Sequence, residues 1–450
     1  MKSKKPCILL YNPISGHGHL DSWLEIFVEL LIERHFLVVV LTPDPKILKE
    51  RLSLKNLEEH PCLQMLPWKK VFKSNYLRYA WDIWIHFCER YYFGREGSSI
   101  TPEMTLLIRW KKKFYRLFVP YLYLISKLIR LSQQRLRNEK NEIEDSGLDP
   151  VGAALQIKAI LRKSKWYPDF LFNMYMDMYK TDTFSWERFA SICRLPWGGI
   201  RFVPQPSSHE AYYYLSTLRG MCFLDEGLCK IYAKRFPEKI FPFLPDVTYS
   251  ETPQDEPKIV KEILEKSGGR KIVFMGGSIG GQKNISRWCE VIFMAKRTEW
   301  FFVQIGEIHF NTFTPEDIEA YKTLTKSIPE NVYIFSEFIP DERIFNAIIN
   351  ISDVLFAVYR DFHTSSNMLS KSAIFEKPIL TSKGFLMGER VRRYGIGLTV
   401  SEYDSRAMFD GLNTLIHKKI EPEKFKNYRE DYGVENLWDN ISSLFFSSIA

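Results

Sequence analysis

The strongest constraint in the chain is a pattern that occurs twice: a short apolar run, a glycine-rich turn, then a helical periodicity. Residues 7–12 (CILLYN) lead through Ser15-Gly16-His17-Gly18-His19 into a helical pattern over 20–34, and a second apolar run follows at 36–42 (FLVVVLT). At residue 271 the order restarts, KIVFM running into Gly276-Gly277-Ser278-Ile279-Gly280-Gly281-Gln282-Lys283. Apolar runs without alternation mark strands buried on both faces, the condition of parallel strands covered by helices. Strand, turn, helix, strand is the opening of a doubly wound sheet. Two such openings in 450 residues predict two α/β domains, since one core stops growing at about 250–300 residues.

Further strands are expected at 168–176 and, more weakly, at 200–203 in the first half. In the second half they are expected at 271–275, 300–305, 331–335, 354–358 and 378–380. The proline-punctuated stretch 241–257 (FPFLPDVTYSETPQDEP) has the composition of a linker. It sets domains of 1–245 and 246–430 facing one another across a cleft. The amphipathic pattern over 434–449 suits a helix that crosses back to the first domain.

An insertion over 70–163, helical in pattern and aromatic-rich, interrupts the first domain. Between Arg109 and Lys140 ten basic residues face one acid, Glu139, which alone accounts for the net charge of +8. Within it, residues 104–137 place Trp, Phe and Leu among Lys and Arg, divided by Pro120. Basic amphipathic helices of this kind lie in membrane interfaces; the plain alternative is a helical hairpin with a solvated basic face. No DNA- or RNA-binding module accompanies the charge, so nucleic acid is not the expected partner.

Seven scattered cysteines without a CxxC pair argue against a disulfide scaffold and against zinc. The N-terminal MKSKKPCILLYNP lacks the features of a signal peptide, and no run reaches 18 apolar residues. The expectation is a cytoplasmic protein, peripheral at most at the cytosolic membrane face.

Candidate chemistry gathers where strands end. In the loop 276–283, glycines permit positive φ and close backbone approach, and a following helix start favours phosphate. Gly277, Ser278, Gly280 and Lys283 are the candidates there; the spacing is not that of a P-loop. The second group follows the strand 354–358: Arg360, His363, Ser365, Ser366, Asn367, Met368 and Lys371, a polar helix start with two nearby cations. In the first domain, Gly16 and Gly18 flank His17 and His19, where an imidazole can take a hydroxyl proton or His19 can simply cap the helix. Asp177, ending the strand 168–176, either orients such a base or caps a strand end.

Residues 331–344 (NVYIFSEFIPDERI), 351–359 (ISDVLFAVY), Glu376-Lys377-Pro378-Ile379-Leu380 and 384–400 (GFLMGERVRRYGIGLTV) resemble consecutive stretches of GT-B glycosyltransferases, chiefly family 4. The resemblance spans roughly residues 271–415 and, less closely, 5–45. It implies two Rossmann-like domains and transfer of a sugar from a nucleotide-diphosphate sugar to an acceptor hydroxyl, with retention and without metal. The donor is expected as a co-substrate, with no other cofactor; a membrane-facing basic insertion would suit a lipid-linked acceptor, and a polysaccharide intermediate is the other expected acceptor class. Gly277 and Lys283 match the family's donor loop, but Ser278 stands in place of its arginine. His363 and Lys371 stand where family 4 carries two glutamates seven residues apart. Phe338 and Ile339 fall on the base-binding turn, and Glu389 falls where donor hydroxyls are met. His363 and Asn367 are also similar to the donor box of inverting family 1, in which His17 or His19 would be the base. Loss of both acids leaves a catalytically silent binding subunit open, and a nucleotide-sugar epimerase on the same superfold, needing no acceptor, is a further alternative.

Overall fold

A computed structural model describes residues 5–15, 20–68, 148–179 and 183–446. The chain forms two compact units, Met1–Trp68 with Asp149–Ala450, and Lys69–Leu148. The second falls outside the described residues apart from Leu148, and the basic segment 104–137 with it.

The first unit holds two sheets. β1 (Cys7–Tyr11), β2 (Leu37–Thr42), β3 (Leu63–Pro67), β4 (Phe170–Asn173), β5 (Trp197–Arg201) and β6 (Leu218–Phe223) lie in the order β3-β2-β1-β4-β5-β6. β7 (Lys271–Gly276), β8 (Trp300–Ile305), β9 (Val332–Phe335), β10 (Val354–Ala357), β11 (Ile379–Ser382) and β12 (Gly397–Val400) lie in the order β12-β11-β10-β7-β8-β9. Every pairing is parallel. Both sheets therefore have the doubly wound order, reversing direction between β1 and β4 and between β7 and β10, where such folds hold ligands.

The strands read from apolar runs are the interior ones, such as β8 (WFFVQI), buried at all six positions, together with the edge strand β9. Those the sequence pattern did not mark are β3, β6 and β12. β3 is an edge strand, half-exposed along LQMLP; β6 is broken by Arg219 and Gly220; β12 is four residues of mixed polarity. The insertion also ends earlier than expected. Asp149 accepts hydrogen bonds from Val151 and Gly152 N–H at 3.1 and 3.2 Å, capping a helix Pro150–Leu161 whose first position is proline. That helix packs on the helix Thr183–Cys193 as part of the first domain.

The proline-rich stretch is no loose tether. Its start runs beside β6, with Ile240 bridging Gly220 and Phe243 bridging Phe223, and Leu244 and Val247 are buried in the first domain's core. Glycine is required at 220 because a Cβ there would lie 1.9 Å from the Ile240 carbonyl oxygen.

The last helix, Val434–Phe446, returns to the first sheet. Leu437, Ile441, Leu444 and Phe445 are fully buried in the same core as Phe36, Phe170 and Phe172, and the Phe445 ring lies 5.6 and 5.4 Å from those of Phe170 and Phe172. This helix thus completes the first domain's core. Leu444→Ala should cost about 3 kcal/mol, the usual range for truncating a fully buried leucine. Urea denaturation followed by tryptophan fluorescence checks it; an unchanged midpoint would show that the first domain does not depend on this helix.

Candidate active-site cleft

A cleft of about 930 Å³ opens at the carboxyl ends of both sheets. Its second-domain side comes from the segments after β7, β8, β9 and β10; its first-domain side includes Ser22, Arg51, Tyr175, Phe202 and Leu224.

The β7 turn is shaped by backbone crowding. Gly277 has φ +98, and Gly306, at the end of β8, has φ +135 with its Cβ position 1.8 Å from the Gly277 carbonyl oxygen. At Gly277 the positive φ disfavours a side chain, and at Gly306 the clash excludes one, so the two loops approach closely there. Gly281 N–H donates to Thr312 Oγ1 at 2.9 Å, which holds a 3₁₀ turn, Gly281–Lys283. From it Lys283 reaches back: Nζ donates to the Gly276 carbonyl at 3.0 Å and to the Tyr359 hydroxyl at 2.7 Å.

The helix after this turn, Ile285–Met294, does not offer its start to a ligand. The buried Asp317 carboxylate accepts Ser286 N–H at 2.9 Å and four further bonds from Thr314 and Arg360. Burial pushes this carboxyl up, but Arg360 and the N–H donors outweigh it and hold the pKa at about 2. Arg360, expected at a diphosphate, spends its guanidinium on Asp317, Asn284 Oδ1 and Ser286 Oγ, at 2.9–3.1 Å. Its place is structural, and it does not line the cleft.

Of the other expected donor-side residues, the structure brings Gly277, Ser278, Gly280, Lys283, Phe338, Ile339, Ser365, Ser366, Asn367, Met368 and Lys371 to the cleft. Ser365 is nearly buried, and its Oγ accepts from Arg390 Nη1 at 2.9 Å. His363 is exposed, its ring centroid 4.1 Å from that of Phe385, while its neighbours Phe362 and Thr364 face the cleft. Glu389 is exposed on the helix Phe385–Tyr394 and lines nothing; the next residue, Arg390, is the one that turns inward. Asp177 is likewise not on the cleft wall. Its carboxylate accepts Phe202 N–H at 2.8 Å and Val203 N–H at 2.9 Å, so it fixes the turn that carries Phe202 into the cleft. Burial raises its pKa against those donors and Arg201. Gly16, His17, Gly18 and His19 lie outside the described residues.

Lys371 sits at the cleft floor, 1% exposed, on the helix Met368–Ile374. Its Nζ donates to Glu342 Oε1 at 2.8 Å and to Asn346 Oδ1 at 2.6 Å. Glu342 also accepts from Thr248 Oγ1 at 2.8 Å and from Ser22 Oγ, and Arg51 Nη2 stands 3.8 Å away. Burial pushes the Glu342 carboxyl up, but Lys371 and the two hydroxyls pull its pKa down to about 2. Burial also presses the ammonium of Lys371 down, opposed by Glu342. A second tie between the domains is Arg390, whose Nη2 donates to the Leu224 carbonyl at 2.5 Å and to Glu226 at 2.9 Å.

Sequence reasoning missed Tyr359, Asp317, Glu342 and Arg51. Only Asp317 carried a local signal, the capping box Thr314-x-x-Asp317. Among the described residues no group of three or more His, Cys, Asp or Glu side chains is placed to hold a metal ion. Among them, too, no helix is long and apolar enough to cross a membrane.

Neither a protein-family model nor a curated protein matches the chain. Solved structures do. A glycosyltransferase from Rickettsia africae ESF-5 aligns with TM-score 0.62 over 99% of both chains at 10% identity. The N-terminal domain of a trehalose-6-phosphate phosphatase from Candida albicans aligns at 0.59, with 10% identity over 100% of this chain and 98% of that one. Anabaena HepE in complex with UDP and glucose aligns at 0.57, with 10% identity over 98% and 100%. At these identities the likeness establishes the architecture: the chain has the GT-B fold, two Rossmann-like domains flanking a cleft.

The Glu342 pKa gives a pH signature. A carboxyl held at about 2 against an ordinary 4.5 contributes stability that is complete above pH 4.5 and lost as pH falls toward 2. Glu342→Gln, which leaves the ammonium buried without a counter-charge, should cost about 3–5 kcal/mol at neutral pH. The gap to wild type should narrow on acidification through that window, as read by urea denaturation. A gap independent of pH would place the pair's contribution elsewhere.

Proposed function

We propose that the chain is a glycosyltransferase that moves a sugar from a nucleoside-diphosphate donor to an acceptor hydroxyl. The observation that carries this reading is the Lys283 ammonium, held at the cleft beside a glycine turn at a sheet's carboxyl edge. Transfer requires the departing diphosphate to be stabilised as the anomeric carbon becomes cationic, and a cation fixed in advance does this without reorganising. The donor's diphosphate would lie along Gly277 and Lys283, its base toward Phe338 and Ile339, and its sugar toward Thr364–Asn367. HepE, of the same fold, holds UDP and glucose, which supports a donor of that class here. The acceptor would enter along Ser22, Tyr175 and Phe202.

The finer parts of the reading come from the sequence. Retention follows the family 4 resemblance, the leaving phosphate taking the acceptor's proton. Metal independence follows the lack of a DxD motif. The ten basic residues between Arg109 and Lys140 support a cytosolic membrane face and a lipid-linked acceptor. A silent subunit of the same fold is the second reading, favoured by one observation: Lys371, standing where family 4 carries an acid, is locked in an ion pair.

A thermal-shift screen against UDP-, GDP-, ADP- and dTDP-sugars should give a raised melting point with one of them; no shift with any would refute the donor reading. With that donor, turnover should be detectable, and Lys283→Ala should reduce it about 10²–10³-fold with the melting temperature unchanged. Donor binding without transfer or hydrolysis would favour the silent subunit. Co-sedimentation with anionic phospholipid vesicles, lost at high salt, is expected for the full chain; its absence would remove the membrane part of the reading.

A further inference from the structure

We infer that Tyr359 is a positioning residue for Lys283: its hydroxyl fixes the ammonium so that the remaining N–H addresses the diphosphate of a bound donor. The inference rests on the donor reading above.

An ammonium has three donors on a flexible stem and takes many directions unless they are held. Here two are used, one on the Gly276 carbonyl at 3.0 Å and one on the Tyr359 hydroxyl at 2.7 Å. The Tyr359 ring also lies under the charge, with Nζ 4.1 Å from its centroid. Above Gly277 there is room for a ligand atom: at its Cβ position the only heavy atom within 4 Å among the described residues, chain neighbours aside, is Lys283 Nζ, at 3.7 Å. Gly276, Gly277, Lys283 and Tyr359 all line the cleft.

The hydroxyl is itself held. Tyr359 is 3% exposed. Its carbonyl accepts from Ser382 Oγ, and Phe362 packs edge-on at 5.2 Å and 89°. Arg360 N–H donates to the Gln282 carbonyl at 2.9 Å, so the backbone next to Tyr359 is tied to the backbone next to Lys283. Fixing the cation beforehand removes the ordering cost that a free lysine would meet on binding. The arrangement has no counterpart in a lysine that only neutralises charge from solvent.

Tyr359→Phe tests this, because it keeps the ring under the charge and removes only the hydroxyl. The measurement is a double-mutant cycle with Lys283→Ala, read by calorimetry with UDP, GDP, ADP, dTDP and inorganic pyrophosphate. Tyr359→Phe should weaken the nucleoside diphosphate that binds wild type, and pyrophosphate, about tenfold. In the Lys283→Ala background it should have no further effect. Equal weakening in both backgrounds, or none in either, overturns the inference, since the hydroxyl would then act on the ligand or the fold directly, or not at all. If Lys283→Ala leaves diphosphate affinity intact, the donor reading stands and the inference falls. If none of the probes binds wild type, the donor reading itself has failed.

Discussion

Glu342 receives donors from three separate parts of the chain: Lys371 of its own domain, Thr248 of the connecting stretch, and Ser22 at the start of the first domain's first helix. A buried ion pair persists only when its remaining lone pairs and protons are satisfied, because the cost of desolvating two charges is large. Here that satisfaction can be met only with the two domains and the linker in one arrangement. Asn346, one turn along the same helix, accepts from Lys371 and donates to the Tyr249 and Glu251 carbonyls at 3.1 and 2.9 Å. The width of the cleft at its floor is therefore set by hydrogen-bond geometry as well as by apolar packing.

A second buried pair divides the cations of the donor side into structural and available. Asp317 and Arg360 join the segments 284–286, 314–317 and 360, and close the helix start that follows the glycine turn. Lys283, one residue before that junction, faces the cleft, and among the described residues its hydrogen-bond partners are neutral, a carbonyl and a hydroxyl. The two cations looked equivalent in sequence, each beside a polar turn after a strand. What separates them is a carboxylate 43 positions from Arg360.

This marks the boundary of what the sequence makes legible. Uninterrupted apolar runs such as FLVVVLT and WFFVQI identify the central strands, because burial on both faces leaves no freedom in their composition. Edge strands such as LQMLP meet solvent, so no such restriction acts on them. The glycine turn is readable for a similar reason: positive φ and a 1.8 Å conflict at Gly306 admit no side chain. The direction of a charged side chain follows no local rule. His363 turns away between two residues that face the cleft, and Asp177 serves two N–H groups 25 and 26 positions on.

Lys371 stands where the family 4 resemblance would put an acid, which raises the question of what would meet a sugar there on the proposed reading. A carboxylate does remain at the spot, on Glu342, but its oxygens already accept from Lys371, Thr248 and Ser22. With its lone pairs so occupied, it has little capacity to receive the hydroxyls of a sugar. Recognition of such hydroxyls would then pass to groups at the cleft that keep capacity: the amide of Asn367, and the hydroxyls of Thr364 and Ser366. These are neutral, and their bonds to a sugar are weaker than those of a carboxylate. The charge needed in the transition state would be concentrated on the diphosphate side, at Lys283. On the proposed donor reading, such a site would separate holding the sugar, by neutral groups, from stabilising the leaving group, by one fixed cation.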